Sequence, residues 1–232
     1  MKQKVEELIC ELQDNDAGVR KNAARVLFQM GEEAVEAVPA LTLALIDDFK
    51  ILGQMGEEAV GAVPLLIHAL QGDDEDVRRN AARALGDIGE GAVEETVPAL
   101  IQALQDVDGV RYDAATALSD IGEGAVPALI QALQDDDLNV RYSAVSALGD
   151  IGAGAVGAVP ALIQVLQSDD DRDDSIGAAL ALGQIGAGAV GAVPALIQAL
   201  KGDDDWVRSN AAEALEKIRT PEAVVDDDEL PF

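Results

Sequence analysis

The sequence predicts an all-α fold, an α-solenoid (superhelix) of stacked antiparallel helix hairpins. Three observations carry this expectation. A Val-Pro pair recurs at Val38, Val63, Val97, Val126, Val159 and Val193, and subtraction gives separations of 25, 34, 29, 33 and 34 residues, about the length of one helical hairpin. Each repeat also holds two apolar stripes of helical period parted by an acidic break. Finally, 49% of the 232 residues are hydrophobic while only 3% are aromatic, so a core of small aliphatic side chains must pack helix on helix at short distance.

The fullest repeat, Val126 to Gly152, justifies each element in order. Val126, Leu129, Ile130 and Leu133 fall at i, i+3, i+4 and i+7, one stripe of a first helix, helix A, and Pro127 suits its first turn. Asp137 is placed as N-cap of the second helix, where a carboxylate accepts from unpaired backbone amides. Val140, Ala144, Ala147, Leu148 and Ile151 then form the stripe of helix B. Gly152 stands where a left-handed C-terminal cap is expected. Neither short helix can bury its stripe alone, so successive hairpins must stack, with Ala144 and Gly149 permitting close approach. The first repeat lacks Val-Pro but keeps the stripe as Val5, Leu8, Ile9 and Leu12, and Val19-Arg20 opens its helix B. About seven repeats are expected over residues 1–219.

The run VPALIQALQDDD followed by VR and ALGDIG resembles HEAT-like repeats of the phycobilisome-lyase type, over nearly the whole chain from Lys2 to about Arg219. The resemblance implies a HEAT-like or armadillo-like superhelix, and with it a binding scaffold. It also raises the alternative of a bilin (phycobiliprotein) lyase or isomerase subunit, which would bring a phycobiliprotein and a tetrapyrrole as partners. No lyase motif can be matched residue by residue, so no catalytic position is carried over. A regulatory repeat segment of a larger effector system is a third reading.

Departures from the repeat carry the specific information. The second repeat is truncated near 46–52, where Phe49, Ile51 and Leu52 remain after the Val-Arg start of helix B is lost; a stunted helix, a missing stretch or an exposed hydrophobic notch each fits. In the sixth repeat Asp174 and Ser175 stand where others have Val and Arg. That arginine, seen as Arg20, Arg78, Arg111, Arg141 and Arg208, is expected to form an inter-repeat ladder with loop aspartates, which resembles the family's habit, and its loss at Ser175 to loosen the stack by at most about 1 kcal/mol. Trp206 in the last repeat is read as a cap over the open end of the core or as a binding anchor. Residues 220–232 read as a flexible acidic C-terminal tail whose Leu230, Pro231 and Phe232 could dock in a groove.

The outward positions of helix B vary most. The first repeat gives Arg20, Lys21, Asn22, Arg25 and Gln29, and the third gives Arg78, Arg79, Asn80, Arg83 and Asp87; six of the chain's 16 Lys and Arg lie there. The fourth and fifth replace them with Tyr112, Asp113 and Thr116, then Tyr142, Ser143 and Ser146, and the seventh offers Ser209, Asn210 and Glu213. The expected partner-binding residues are therefore Arg20, Lys21, Arg25, Arg78, Arg79, Arg83, Tyr112, Tyr142 and Trp206, on a concave helix B face. The partner expected is a protein, its contacting segment acidic or carrying aromatic side chains; the competing reading is a solvated face that neutralises nearby acidic loops. Charge reversal at Arg78, Arg79 and Arg83 is expected to abolish partner capture.

A net charge of −28 repels polyphosphate, so nucleic acid is not an expected partner. No basic leader precedes an apolar stretch, and no apolar run is expected to reach membrane length, which leads to a soluble, cytoplasmic protein with no membrane partner. The single cysteine, Cys10, fits a reducing compartment and reads as a small buried apolar residue. The aspartate runs at Asp73–Asp76, Asp135–Asp137, Asp169–Asp174 and Asp203–Asp205 lack the ligand spacing of a calcium loop and read as helix caps. His68 replaces the Gln of LIQAL and reads as exposed or packed between repeats, and no nucleophile carries a histidine-bearing motif. No cofactor, metal or catalytic residue is expected.

Overall fold

The computed structural model describes residues 2–30, 34, 36–47, 60–168 and 172–218, every regular element of which is helical. The expectations for Phe49, Ile51 and Leu52 and for residues 220–232 lie outside the described residues. The α-helices, in chain order, are α1 (Lys2–Glu11), α2 (Ala17–Met30), α3 (Val38–Asp47), α4 (Val63–Leu70), α5 (Glu75–Ile88), α6 (Val93–Ala103), α7 (Asp108–Ile121), α8 (Val126–Ala132), α9 (Leu138–Ile151), α10 (Val159–Gln167), α11 (Arg172–Ile185), α12 (Val193–Ala199) and α13 (Asp205–Ile218). They fall into two compact bodies, Met1–Ala125 and Val126–Phe232.

Within each body the packing is that of an α-solenoid. In the first, α4 packs on α5 and α6 on α7 as hairpins, while α4 also meets α6 and α5 meets α7. The second repeats this with α10 on α11 and α12 on α13, A helix against A helix and B against B. The B helices supply the shared core: Ala81, Leu85, Ala114, Leu118, Ala144, Leu148, Ala178 and Leu182 are all fully buried. Each buried leucine contributes about 1.5–3 kcal/mol.

The B helices approach closely through one register rule. A Cβ at Gly86 would stand 2.8 Å from the Cα of Ala117, and one at Gly149 or Gly183 would stand 3.3 or 3.0 Å from the Cα of Ala181 or Ala214. Glycine on one B helix therefore seats alanine of the next, backbone against backbone.

Helix ends follow the acidic breaks. Asp74 and Asp137 are N-caps whose side chains accept from the backbone amides of Val77 (3.1 Å) and Asn139 (2.8 Å). Asp204 accepts from Trp206 and Val207 in the same way. The C-terminal glycine differs in detail from expectation: Gly152 has φ 62 and ψ −128, and Gly89 has φ 62 and ψ −134, so the chain leaves helix B through positive-φ backbone that glycine alone adopts readily, not through the left-handed helical region. A 3₁₀ segment then leads to the next A helix. Residues 152–164 and 186–198 have one and the same sequence and one backbone, with Ala155 at φ −92, ψ 17 and Ala189 at φ −93, ψ 19.

Several expectations are corrected. The fourth A helix starts at Val93, a turn before Val97-Pro98, because Glu94 and Glu95 extend it and favour its positive N-terminal end. Cys10 is exposed, since α1 buries Val5 and Leu8, with Leu12 just beyond its end, and Cys10 points away from that stripe. Two apolar helical stretches do reach membrane length, Leu138–Gln167 and Arg172–Ala199, at 30 and 28 residues, each with an 18-residue window of mean hydropathy 1.5 and 1.7 respectively. Each breaks at its positive-φ glycine into two helices, the longer of 14 residues.

Candidate partner-binding face

Opposite the buried stripe, each B helix exposes positions i, i+4 and i+8 as one column. Along the chain these columns read Lys21, Arg25, Gln29 on α2; Arg79, Arg83, Asp87 on α5; Tyr112, Thr116, Asp120 on α7; Tyr142, Ser146, Asp150 on α9; Ile176, Leu180, Gln184 on α11; and Ser209, Glu213, Lys217 on α13.

On α5 the arginines are engaged in packing. Arg78 forms a two-pronged pair with Asp106, Nε to Oδ2 at 2.7 Å and Nη2 to Oδ1 at 3.0 Å, and its Nη1 donates to the carbonyls of Gly72 and Asp73. Hydrogen bonding to Asp106 raises the guanidinium pKa above its ordinary value. Burial alone would raise the pKa of Asp106, but the Arg78 hydrogen bond, the Val107 amide and the charges of Arg78 and Arg111 together hold it below the ordinary carboxylate value. Arg79 and Arg83 both close on Asp113 of α7, at 2.8 and 2.9 Å, and Asp113 is only 3% exposed. The basic column of α5 is thus a clamp on a buried carboxylate. Asp113 and Ser143, expected among the outward positions of helix B, are instead buried, at 3% and 6% exposed, because their shared register leans toward the preceding B helix, where two arginines wait for the carboxylate.

The same arginine position back-bonds to its own loop elsewhere. Arg20 donates to the carbonyls of Asp14 and Asn15, Arg111 to those of Leu104 and Asp106, and Arg208 to that of Gly202. Arg141 bridges repeats, Nε to Asp174 Oδ2 at 2.7 Å, and Arg172 reaches Asp204 at 3.2 Å. The ladder therefore continues through the sixth repeat, with Asp174 in place of a core valine and the Ser175 hydroxyl donating to the Ser168 carbonyl. Arg25 is exposed and donates to Asn22 at 2.6 Å, and Lys21 is half-buried beside it.

Farther along α5 and α7, burial raises the carboxyl pKa of Asp87, as does the charge of Asp120 to a lesser extent, and burial raises that of Asp120 itself. Tyr112 is 71% exposed beside Thr116, whose hydroxyl donates to the Tyr112 carbonyl. In the second body a groove of about 500 Å³ runs between the columns of α9 and α11. Tyr142 and Ser146 line one side and Ile176 and Leu180 the other, with Asp150 and Lys217 toward one end. Tyr142, 60% exposed, is the predicted residue that the structure brings into this groove. Trp206 is 64% exposed at the start of α13 and does not cover the core. His68 is exposed on α4, and among the described residues no three His, Cys, Asp or Glu side chains converge as a metal site requires.

The family of HEAT repeats matches residues 49–119, 97–183 and 159–226, over half of the chain. The chain is a HEAT-repeat protein. Two solved structures similar to this HEAT-repeat chain are the complex of CpcE and CpcF of phycocyanin lyase from Nostoc sp. PCC7120 and the karyopherin Kap121p bound to the extreme C-terminus of the protein phosphatase Cdc14p. The first is 24% identical, covers 67% of this chain and 99% of its own, and has a TM-score of 0.50. The second is 15% identical, covers 94% of this chain and 34% of its own, and has a TM-score of 0.54. An engineered protein shares 28% identity over 92% of this chain and 96% of its own, with a TM-score of 0.47. Among curated proteins no sequence matches significantly. The likenesses to the lyase complex and to the karyopherin show the fold.

Proposed function

We propose that this HEAT-repeat protein is a non-catalytic interaction scaffold that holds a protein segment on the B-helix face of its second body. One observation carries the reading: Leu180, 38% exposed, and the half-buried Ile176 line one groove together with the exposed Tyr142 and Leu138, so apolar side chains that stand singly elsewhere are gathered here. An apolar groove flanked by a phenol, a hydroxyl and a carboxylate suits recognition of another chain.

The clamp on α5 changes how the reading is tested. Reversing Arg78, Arg79 and Arg83 would set three carboxylates against Asp106 and Asp113, so it would measure packing and not capture. The informative variants are Leu180→Glu and Tyr142→Ala, both at exposed side chains. Affinity capture from source cells is expected to recover a protein partner with the parent chain and to lose it with Leu180→Glu. Undiminished recovery with both variants would refute the scaffold assignment for this face.

A further inference from the structure

The groove's lining specifies the chemistry of its occupant. Val145, itself buried, and Ile176 and Leu180 form an aliphatic surface between α9 and α11. That surface is kept low by Gly177, where α9 has Ser143 and α7 has Asp113: a Cβ there would stand 3.0 Å from Val145 Cγ1. The charge around it is negative. Asp150 and Asp173 are exposed and both line the groove, while the basic residue of the lining, Lys217, is held by Glu213 on its own helix at 2.8 Å. The exposed Tyr142 ring adds a π-face to the same groove, two helical turns from Asp150. The whole chain carries −28, so a cationic segment is drawn to it and an anionic one repelled.

We infer that the groove takes a protein segment in which lysines or arginines flank an aliphatic side chain, the aliphatic group on Ile176 and Leu180, one cation at Asp150 and another over the Tyr142 ring two helical turns away. This rests on the scaffold reading and narrows it to one kind of partner. A field of −28 alone would attract any polycation, so the test must separate site from field. Three short peptides serve, one of leucine and lysine, one of serine and lysine and one of leucine and glutamate, titrated onto the intact chain at about 0.15 M salt, where the screening length is about 8 Å.

The leucine–lysine peptide is expected to bind, to weaken about tenfold with Tyr142→Ala and with Asp150→Asn, and to be unaffected by Tyr112→Ala, whose ring is also exposed but lies on the other body. Equal binding of the serine–lysine peptide, preference for the leucine–glutamate peptide, or indifference to both Tyr142→Ala and Asp150→Asn overturns the inference. If the inference fails while Leu180→Glu still abolishes capture of a cellular partner, the scaffold reading stands and only the occupant's chemistry is wrong. If neither Leu180→Glu nor Tyr142→Ala changes capture, both fall.

Discussion

Arg141 reaches from α9 to Asp174 of α11 at 2.7 Å, and Asp174 occupies the register that Val140 holds in α9. A carboxylate thus takes a core position in the sixth repeat and gives the preceding repeat's arginine its partner. Asp174→Ala removes that partner and leaves a gap among buried side chains, so it is expected to cost about 2–3 kcal/mol. Asp174→Val loses the same bridge but fills the gap, and is expected to recover about 1 kcal/mol of that loss. Urea midpoints at unchanged slope measure both, and identical midpoints for the two variants would contradict the packing argument.

The seating of alanine on glycine between B helices makes a second prediction. At Gly86 the new methyl of Gly86→Ala would meet the Ala117 backbone at 2.8 Å, which no side-chain rotation relieves, and a loss of about 1–3 kcal/mol is expected. Gly191→Ala is the control, because its Cβ meets nothing within 4 Å and its φ is not positive. There the loss of chain freedom in the unfolded state should stabilise by about 0.4–1 kcal/mol. Thermal unfolding of the two variants should shift in opposite directions.

Acidity provides the third. Burial, aided by Asp120, raises the Asp87 pKa in the folded state, so its ionised form opposes folding. The penalty is present above the folded pKa, shrinks as pH falls through it, and vanishes below the ordinary carboxylate value of about 3.9. Asp87→Asn should therefore stabilise at neutral pH, by less than about 1 kcal/mol for a half-solvated group, and have no effect near pH 3. Asp106 has the opposite sign: its pKa is lowered, so its contribution is present above the ordinary carboxylate value and is lost as pH falls through the folded pKa. Melting curves of Asp87→Asn across this range would count against the assignment if the gain persisted at the acid end.

What was legible in the sequence is what every repeat must solve alike. Val126 and Leu129, Asp137 as N-cap, and Gly152 at the exit are set by local periodicity and backbone chemistry, and the structure shows each in that role. What was hidden depended on the neighbouring repeat. Arg79 and Arg83 look like a free basic surface until α7 brings Asp113 beneath them, a partner 30 or more residues away. Ser175 looks like a broken rung until Arg172 is seen to reach Asp204 of the next repeat. The groove was legible only in half, because Tyr142 signals itself as an exposed aromatic whereas Ile176 and Leu180 look like ordinary core letters in a stretch of alanines.

The twice-used stretch 152–164 and 186–198 has a kinetic consequence. Two segments with one sequence and one backbone are interchangeable to a refolding chain, so either can dock where the other belongs and skip a hairpin. Local geometry cannot reject the mistake. Discrimination falls to contacts that differ between the repeats, above all the bridges Arg141–Asp174 and Arg172–Asp204, which act as addresses telling each copy which neighbour is its own.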